Sequence, residues 1–426
     1  MREQRTRKLP ARLVVWLCIL MHLFSRQGLV AVLRQSVKGT RLVADETVEV
    51  LANKSSISKA RYRIGSAPLK MVFEAVCHPL ATRQTPGAFV FGRRVVALDG
   101  SVETVADTPE NQRYFGRQAG TRRTRGSAYP QVRCVYACEC GTHAIFDAEF
   151  LPYRYYELKG AQRLLRSITA EMLVLLDTGL YSFDLFEGIV QRGADLLVRA
   201  RRNVRPRCVE RLSDGTYLAD ISPSKPVRHH TARRLRVRVI EYTLDDPDRP
   251  GHGEPHRLVT TLLDPNAYPA LDLIVLYHDR WEIEITIDEL DTHQRLCEGA
   301  LRSHKPDGVL QELYGLLVGH YVIRCLMAEA AHSRGLDPRR LSFIESVRLI
   351  QDAVAECQLV APCHLVRLHQ RLRQDIAYYV LPQRDNRINP RVVKRKCSKF
   401  KTKRPHHLHP PPLRPFREAV LLVGSP

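Results

Sequence analysis

The pattern that most constrains the fold of this chain is a strand–helix–strand unit near its middle. The sequence predicts a short, continuously apolar strand at residues 173–176 that ends on Asp177. A helix follows, and the run DLLVRARR predicts the next strand. The inward positions of the predicted helix are Phe183, Phe186 and Val190. Two strands joined through a helix run parallel in one sheet, so the unit indicates an α/β fold.

Further strands are predicted on both sides of this unit. The run AFVFGRRVVALDGSVETV predicts an apolar strand that ends at Asp99 and Gly100. Two more strands are predicted in QVRCVYACECGTHAIFDAEFLP, with a break at Gly141. Residues 201–275 combine turns with period-two alternation, which predicts a β-rich insertion. Together these strands indicate a mixed α/β sheet.

The first 80 residues have a helical pattern. A basic start followed by an apolar run at residues 13–24 resembles a secretory signal, but the run is shorter than the ~20 residues that a membrane helix requires. No small-residue cleavage site follows. We therefore favour a core helix opened by Pro10, with secretion as the alternative. Residues 307–331 and 340–375 predict further helices.

A short basic helix is predicted at residues 57–64, with Ser56 as its N-cap and Gly65 just after its end. Its cations are Lys59, Arg61 and Arg63. A short, capped, basic helix suits recognition of DNA. The alternative is an ordinary surface helix whose cations are solvated.

The composition favours a polyanionic partner. The chain has 66 Lys and Arg against 45 Asp and Glu, a formal net charge of +21, which favours nucleic acid ahead of a membrane surface. A generally basic proteome is the alternative. The eleven cysteines are odd in number and lack framework spacing, so we interpret them as reduced and intracellular. A zinc site is a minor alternative. Its ligands would be Cys134, Cys138, Cys140 and His143.

A second informative stretch is LYHDRWEIEITIDELDTHQR, residues 276–295, which predicts one continuous helix. Its apolar stripe is Leu276, Ile283, Ile287 and Leu290. Its polar stripe is Tyr277, Arg280, Glu284, Asp288 and Asp291. This stripe segregates its charges instead of alternating them, which suits a face that meets a cation or a phosphate.

Three carboxylates have positions typical of a metal site. Asp99 and Asp177 end predicted strands, and Glu284 lies on the predicted helix. Carboxylate oxygens are the hard ligands that Mg²⁺ prefers, and two such ions can cut a phosphodiester. Each residue also has a simpler interpretation, namely a turn, a helix cap and a solvated side chain, respectively.

These residues carry a resemblance to a known family. The chain resembles the DDE transposases of bacterial insertion sequences, specifically the IS-four family in the branch with a helical N-terminal domain. The motifs, in family order, are LPARLVVWL, SKARYRIG, ALDGSVETVADTPENQRYFG, LLDTGLYS, YHDRWEIE, LRSHKPDGVLQELYGLLVGHYVIR and RVVKRK. They extend over nearly the whole chain, with a β-rich insertion between the second aspartate and the glutamate.

The resemblance implies an RNase H-like core and two divalent ions, Mg²⁺ with Mn²⁺ as a possible substitute. It implies cleavage at the terminal inverted repeats of a mobile element and transfer of the 3′-hydroxyl into target DNA. Asp99, Asp177 and Glu284 would be the catalytic metal ligands. Tyr277 and Arg280 would contact DNA phosphates. The resemblance also implies double-stranded DNA as the partner and a homodimer in the synaptic complex. It implies no membrane partner and a location in the bacterial cytoplasm.

The expected layout follows the family. Its parts are a helical N-terminal DNA-binding domain at 1–85, the first part of the catalytic core at 86–200, the β-rich insertion at 201–275, the second part of the core at 276–330, a helical C-terminal region at 331–390 and a basic Pro-rich tail at 391–426. The chain begins inside the family's N-terminal domain, so a truncated start is one alternative.

One departure from the family concerns the position seven residues after Glu284, where the family has lysine and this chain has Asp291. A carboxylate there would repel phosphate, so either Lys305 or Arg295 substitutes for the lysine or the handling of DNA is impaired. Alternatives to an active enzyme are a DNA-binding remnant without catalysis and an RNase H-like nuclease without strand transfer. A base-flipping aromatic in the insertion would be Tyr217, Tyr242 or Tyr268, a choice left open.

Overall fold

The structure, a computed structural model, describes most of the chain. The described residues are 9–40, 52–120, 126–223, 233–249, 251–278, 280–295, 299–357, 359–382, 412 and 414–423. The chain divides into two compact units. Unit 1 contains Met1–Ile168 and Trp281–Leu381, and unit 2 contains Thr169–Arg280 and Pro382–Pro426.

Helices form both the N-terminal part and most of the C-terminal part of the described chain, and the strands lie mainly between them. The helices are α1 (Ala11–Leu23), α2 (Leu29–Thr40), α3 (Lys54–Ile64), α4 (Ala67–Val76), α5 (Pro109–Phe115), α6 (Glu157–Leu164), α7 (Phe183–Val190), α8 (Ala270–His278), α9 (Trp281–Asp288), α10 (Pro306–His332), α11 (Phe343–Glu356), α12 (Leu365–Ile376) and α13 (Phe416–Ala419). The strands are β1 (Phe89–Val90), β2 (Arg93–Thr104), β3 (Gln131–Glu139), β4 (Ala144–Pro152), β5 (Met172–Leu176), β6 (Asp195–Arg199), β7 (Cys208–Arg211), β8 (Tyr217–Ile221), β9 (Leu235–Leu244), β10 (His256–Thr260) and β11 (Val420–Leu422).

The strands of unit 1 form an antiparallel sheet. β3 lies between β2 and β4, and β1 pairs with the start of β2. The predicted break at Gly141 is confirmed, because it lies in the turn between β3 and β4. β3 is buried over most of its length, as its near-continuous apolar run predicts.

The helical part of unit 1 is organised around α10, a 27-residue helix that is buried along most of its length. α1 begins after Pro10, as predicted, and packs against α10. The two backbones approach closely at Gly315, where a Cβ atom would lie 2.3 Å from the carbonyl oxygen of Cys18. Among the described residues, no helix is long and apolar enough to cross a membrane.

The predicted basic helix is α3, which is longer than the sequence indicated. It begins at Lys54, and its N-cap is Asn53, whose side chain accepts a hydrogen bond from the backbone N–H of Ser56. Ser56 is therefore inside the helix, and the prediction that it caps the helix was wrong. Either residue can cap a helix, so composition alone does not choose between them. Gly65 follows the last helical residue with φ +68°, as expected for a helix end.

Unit 2 contains the predicted strand–helix–strand unit. β5 and β6 are parallel neighbours, and α7 joins them and packs against β6. The predicted inner face of α7 was partly wrong, because Phe183 and Val190 are half-buried. The residues that α7 buries are Leu185, Phe186, Gly188 and Ile189. This 8-residue helix is too short for a sparse apolar pattern to define its orientation.

The strands of the β-rich segment continue the sheet of unit 2. β10 pairs antiparallel with β6, and β9, β8 and β7 follow in that order. β11, from the C-terminal part of the chain, pairs with the far end of β9. Of the predicted basic tail at 391–426, residues 412 and 414–423 are described, and the rest lies outside the described residues.

Candidate active site

Asp99 lies within β2 and does not end a strand. β2 continues past it to Thr104, so the prediction of a strand end at this aspartate was wrong. Gly100 permits the continuation, because a Cβ atom there would lie 2.7 Å from the carbonyl oxygen of Cys134 on β3. The Asp–Gly pair, which the sequence suggested as a turn, therefore serves close strand pairing. Asp99 is half-buried, and its Oδ1 accepts a hydrogen bond from the backbone N–H of Gly100 at 2.8 Å.

Glu284 lies on α9, which packs against β2 and β3 within unit 1. Ile283 is fully buried, and Thr286 lies 3.5 Å from the thiol of Cys138 on β3. These two residues turn the apolar side of α9 toward the sheet. Glu284 itself is half-buried. The elements that carry Asp99 and Glu284 are therefore packed together in this unit.

The continuous helix predicted at residues 276–295 is not formed. α8 ends at His278, α9 begins at Trp281, and the backbone N–H of Arg280 bonds the carbonyl of Tyr277 at 3.2 Å in a turn between them. After α9 the chain forms a π-helical turn over Glu289–Gln294. The 3.6-residue periodicity holds locally on both sides, so the apolar pattern did not reveal the break.

Asp177 follows β5 directly, as predicted, and lies in unit 2. Its Oδ1 accepts a hydrogen bond from the backbone N–H of Leu180 at 3.0 Å, which caps a 3₁₀ turn over Thr178–Leu180. Arg201 donates to the carbonyls of Thr178 and Gly179 at 3.2 and 3.4 Å. The loop that carries Asp177 is thus fixed from both sides.

Tyr277 lies beside Asp177 in the same unit. Its hydroxyl donates to the carbonyl of Leu176, the last residue of β5, at 3.1 Å. Burial raises the pKa of Tyr277 to about 12, and the charges of Arg280 and Asp177 also act on this hydroxyl. The structure therefore brings Asp177, Tyr277 and Arg280 together at one end of β5.

A buried ion network that the sequence did not predict supports the end of α9. Its members are His143, Glu282, Glu289, His320 and Arg324. His143 Nε2 lies 2.6 Å from Glu282 Oε2, and its Nδ1 lies 3.2 Å from Glu289 Oε1. Glu289 also accepts from His320 at 3.1 Å and from Arg324 Nε at 3.0 Å. Only the i,i+4 spacing of His320 and Arg324 on α10 hinted at this network.

Asp291 lies in a second ion cluster. Arg295 is buried, pairs with Glu103 on β2, donates to the carbonyl of Gly299 at 3.1 Å and lies 3.9 Å from Asp291. Burial and the neighbouring Glu103 raise the pKa of Asp291 to about 8. The raised pKa weakens the repulsion of phosphate that was expected from this carboxyl. Arg295 is occupied inside the unit, which does not suit the expected replacement of a DNA-binding lysine.

The cations of α3 divide between the interior and the surface. Arg61 is buried, and it donates to Gln311 at 3.2 Å and to Ser303 at 3.0 Å, which fastens α3 to α10. Lys59 and Arg63 are exposed, and Arg63 donates to a backbone carbonyl of the N-terminal segment at 2.6 Å. Sequence alone did not distinguish these cations, because all three lie within five positions of one helix.

Lys305, the other expected substitute for the family lysine, is exposed at the start of α10. Its ammonium lies 5.2 Å from the ring centre of Tyr62 on α3, a cation–π contact. Lys305 therefore extends the exposed basic surface of α3, which Arg295 does not.

The structure offers no pre-formed metal cluster among the residues it describes, where no group of three or more His, Cys, Asp or Glu has a metal-binding arrangement. This includes the zinc alternative, because Cys134, Cys138 and Cys140 are buried thiols and His143 belongs to the buried ion network. Of the three predicted carboxylates, Asp99 and Glu284 lie in unit 1. Their oxygens are the donor type that Mg²⁺ and Mn²⁺ prefer.

Comparison with known families decides the assignment. Residues 90–321 match the family described as Transposase DDE domain, and residues 1–74 match Insertion element 4 transposase N-terminal. The chain belongs to the DDE transposase family. Members of this family have an RNase H-like core, so the predicted α/β fold class is confirmed. They cut and join DNA with divalent metal ions, so the predicted enzyme class and its DNA partner are also confirmed.

Relatives of this DDE transposase include the transposase InsG for insertion sequence element IS4 of Escherichia coli K12. It is 28% identical over 404 residues, which cover 93% of this chain and 88% of the relative. Among solved structures, a piggyBac transposase synaptic complex with hairpin DNA is similar, at 13% identity and a TM-score of 0.41. That match covers 95% of this chain and 82% of the other.

Proposed function

We propose that Asp99, Asp177 and Glu284 hold two divalent cations in this transposase, Mg²⁺ or Mn²⁺ in its place. The observation that carries the proposal is the packing of α9, with Glu284, against β2, with Asp99. Asp177 supplies the third carboxylate directly after the parallel strand β5. All three are half-buried, so they combine a fixed backbone with access to solvent.

Hydrogen bonds from the backbone orient two of these carboxylates. The N–H of Leu180 fixes the carboxylate of Asp177, and the N–H of Gly100 fixes that of Asp99. Such orientation matters because a metal ligand must be held within a fraction of an ångström of its working position. When bound, the cations would activate a water or 3′-hydroxyl and stabilise the oxygen that leaves the phosphodiester.

Arg280 and Tyr277 have different proposed roles. Arg280 supplies a guanidinium that can bind two phosphate oxygens at once. Tyr277 has one hydroxyl proton, which it gives to the carbonyl of Leu176. We therefore assign Tyr277 to positioning the end of β5 before Asp177, and Arg280 to the phosphate beside the cleaved bond.

The substrate is proposed to be the terminal inverted repeats of the mobile element, followed by strand transfer of the 3′-hydroxyl into target DNA in the bacterial cytoplasm. Lys59, Arg63 and Lys305 form an exposed basic surface at α3 and the start of α10, which suits recognition of the repeats by the helical N-terminal domain. Two ends must be held together for transposition, so the working form is proposed to be a homodimer.

The test uses the full chain and DNA that carries the element's ends. Asp99→Ala, Asp177→Ala and Glu284→Ala are each expected to abolish nicking in Mg²⁺ and Mn²⁺ while end binding is retained. Asp288→Asn and Asp184→Asn are matched controls, because both residues are exposed acids close in sequence to the proposed ligands. These controls are expected to cut at the wild-type rate.

The outcomes separate the alternatives. Cleavage that survives in any of the three alanine variants would overturn the ligand assignment. Wild-type protein that binds the ends but never nicks them would be the DNA-binding remnant. Cleavage without joining to a target plasmid would indicate a nuclease. The raised pKa of Asp291 favours the active transposase, because it weakens the negative charge that motivated the remnant.

A further inference from the structure

Unit 2 carries a run of exposed arginines immediately after β6. Residues 201–211 contain five arginines and a single carboxylate, Glu210. All five arginines are exposed. The run ends in β7, the last strand in the sheet order of unit 2, in which every residue is exposed. This segment therefore concentrates positive charge on an open sheet edge.

The first two of these arginines are used inside the unit. Arg201 donates to the loop that follows Asp177, and Arg202 pairs with Glu254. The other three have no hydrogen bond or ion pair within the described parts of the chain. They are Arg205, Arg207 and Arg211, which we name the arginine track. Like charges that share no counter-charge repel one another, so the track favours a polyanion.

Protection of a sheet edge is the simplest alternative. Natural edge strands often carry charged residues, lysine above all, to prevent pairing with another chain. Every cation in residues 201–211 is an arginine, and arginine is the cation whose planar fork matches phosphate oxygens. Through Arg201, the run also begins at the loop that carries Asp177. The run therefore begins at the loop that carries a proposed catalytic carboxylate and ends on β7, at the far edge of the sheet in unit 2.

We propose that the arginine track binds the phosphates of double-stranded DNA without reading its bases. This inference rests on the proposed function, because the DNA it holds would be the duplex presented to Asp177. The track lies in unit 2, whereas the basic surface of α3 lies in unit 1, so the two surfaces have separate tasks. Sequence-specific binding of the ends belongs to α3, and sequence-independent holding of the duplex belongs to the track.

The experiment measures how salt affects binding of the full chain to a random-sequence duplex without metal. The variant is Arg205→Gln, Arg207→Gln and Arg211→Gln together. Each lost phosphate contact removes about 0.9 from the slope of log K against log salt, so the slope should fall by about 2.7. The same relation predicts a loss of affinity on the order of 10²–10³-fold at ~0.1 M salt.

The matched control removes three arginines of unit 2 that already have carboxylate partners. Arg233 lies 3.0 Å from Asp184, Arg236 pairs with Asp220, and Arg414 lies 3.4 Å from Asp245. Their combined glutamine variant loses the same charge but should change the slope by less than about 1. Equal effects of the two triple variants would overturn the proposal, because the loss would then follow net charge alone.

Two further sets of variants test whether the change in salt slope comes from lost phosphate contacts. A lysine triple variant of the track should keep the salt slope, because lysine also neutralises a phosphate. If the glutamine triple variant does not fold, each single variant should still lower the slope by about 0.9, and three unchanged slopes would overturn the proposal. If Asp177→Ala loses nicking but the glutamine triple variant of the track keeps the wild-type slope of log K against log salt, this inference is wrong and the site assignment stands. If Asp177→Ala still nicks DNA but the glutamine triple variant has a reduced slope, the site assignment is wrong and this inference stands.

Discussion

Replacing Glu289 tests the buried ion network most directly. Glu289 is 5% exposed, Arg324 is 2% exposed, and the two form a two-pronged contact that His143 and His320 complete. Glu289→Leu would remove every acceptor that this carboxylate provides. Arg324 would then remain buried without its main counter-charge.

The expected cost follows from that orphaned charge. Removing one partner of a buried ion pair destabilises a protein by about 3–5 kcal/mol. Burial alone would raise the pKa of Glu289, but the charges of Arg324 and His143 outweigh it and hold this pKa well below its usual range. Replacing both residues, as Glu289→Leu with Arg324→Met, removes the orphan. We expect the double variant to be more stable than Glu289→Leu alone, with a coupling of about 1–3 kcal/mol.

Urea denaturation of the full chain measures these differences. Trp16 on α1 and Trp281 on α9 are the two tryptophans, and both belong to unit 1, so their fluorescence reports its unfolding. Glu345→Leu is the control, because its pair with Arg348 is a surface pair at 2.5 Å, which is worth about 0–1 kcal/mol. Because the folded pKa of Glu289 is depressed, its contribution is present above about pH 4.5 and is lost as pH falls through the folded pKa.

Two results would refute this reasoning. One is a Glu289→Leu variant that loses no more stability than Glu345→Leu. The other is a double variant at least as unstable as Glu289→Leu, since relief of the orphaned charge would then contribute nothing. A stability difference between wild type and Glu289→Leu that stays constant from pH 7 down to pH 3 would contradict the assigned charge state.

Two further predictions concern unit 1. Gly315→Ala should destabilise by about 1–3 kcal/mol, because its Cβ would meet the Cys18 carbonyl at 2.3 Å. A variant as stable as wild type in urea would show that α1 and α10 can separate freely. Asp291→Asn should flatten the fall in melting temperature between pH 5 and 8. Between pH 5 and 8 unfolded Asp291 is ionised, whereas the pKa of the folded carboxyl is raised to about 8, so folding must take up a proton and this costs more as the pH rises. An unchanged pH profile would contradict the raised pKa of this half-buried carboxyl.

Local patterns predicted many of the elements. The apolar run before Asp177 became β5, and the turn at Gly141 separates β3 from β4. The run after Pro10 became α1, a buried core helix. These succeeded because burial of one face or one continuous run imposes a period on the sequence, whatever the partner is.

Errors occurred where a distant segment decides the outcome. Asp99 was expected to end a strand, but pairing with β3 carries β2 onward through Gly100. The helix predicted across Arg280 is broken there, although the apolar pattern continues on either side. Neither the strand partner nor the break is encoded by neighbours within one turn, so periodicity could not show them.

The sequence by itself determined the family, the order of the elements and the identity of the candidate carboxylates, because these depend on motifs and local periodicity. Only the tertiary structure decided which charges are available. Lys59 and Arg61 lie two positions apart, yet one is exposed and the other is buried against Gln311, 250 positions away. Asp291 likewise changed from an expected phosphate-repelling carboxylate to a neighbour of Glu103 whose pKa is raised. The physical reason is that burial and charge pairing are set by residues far apart in the chain, and they decide whether an ionisable group is charged and exposed.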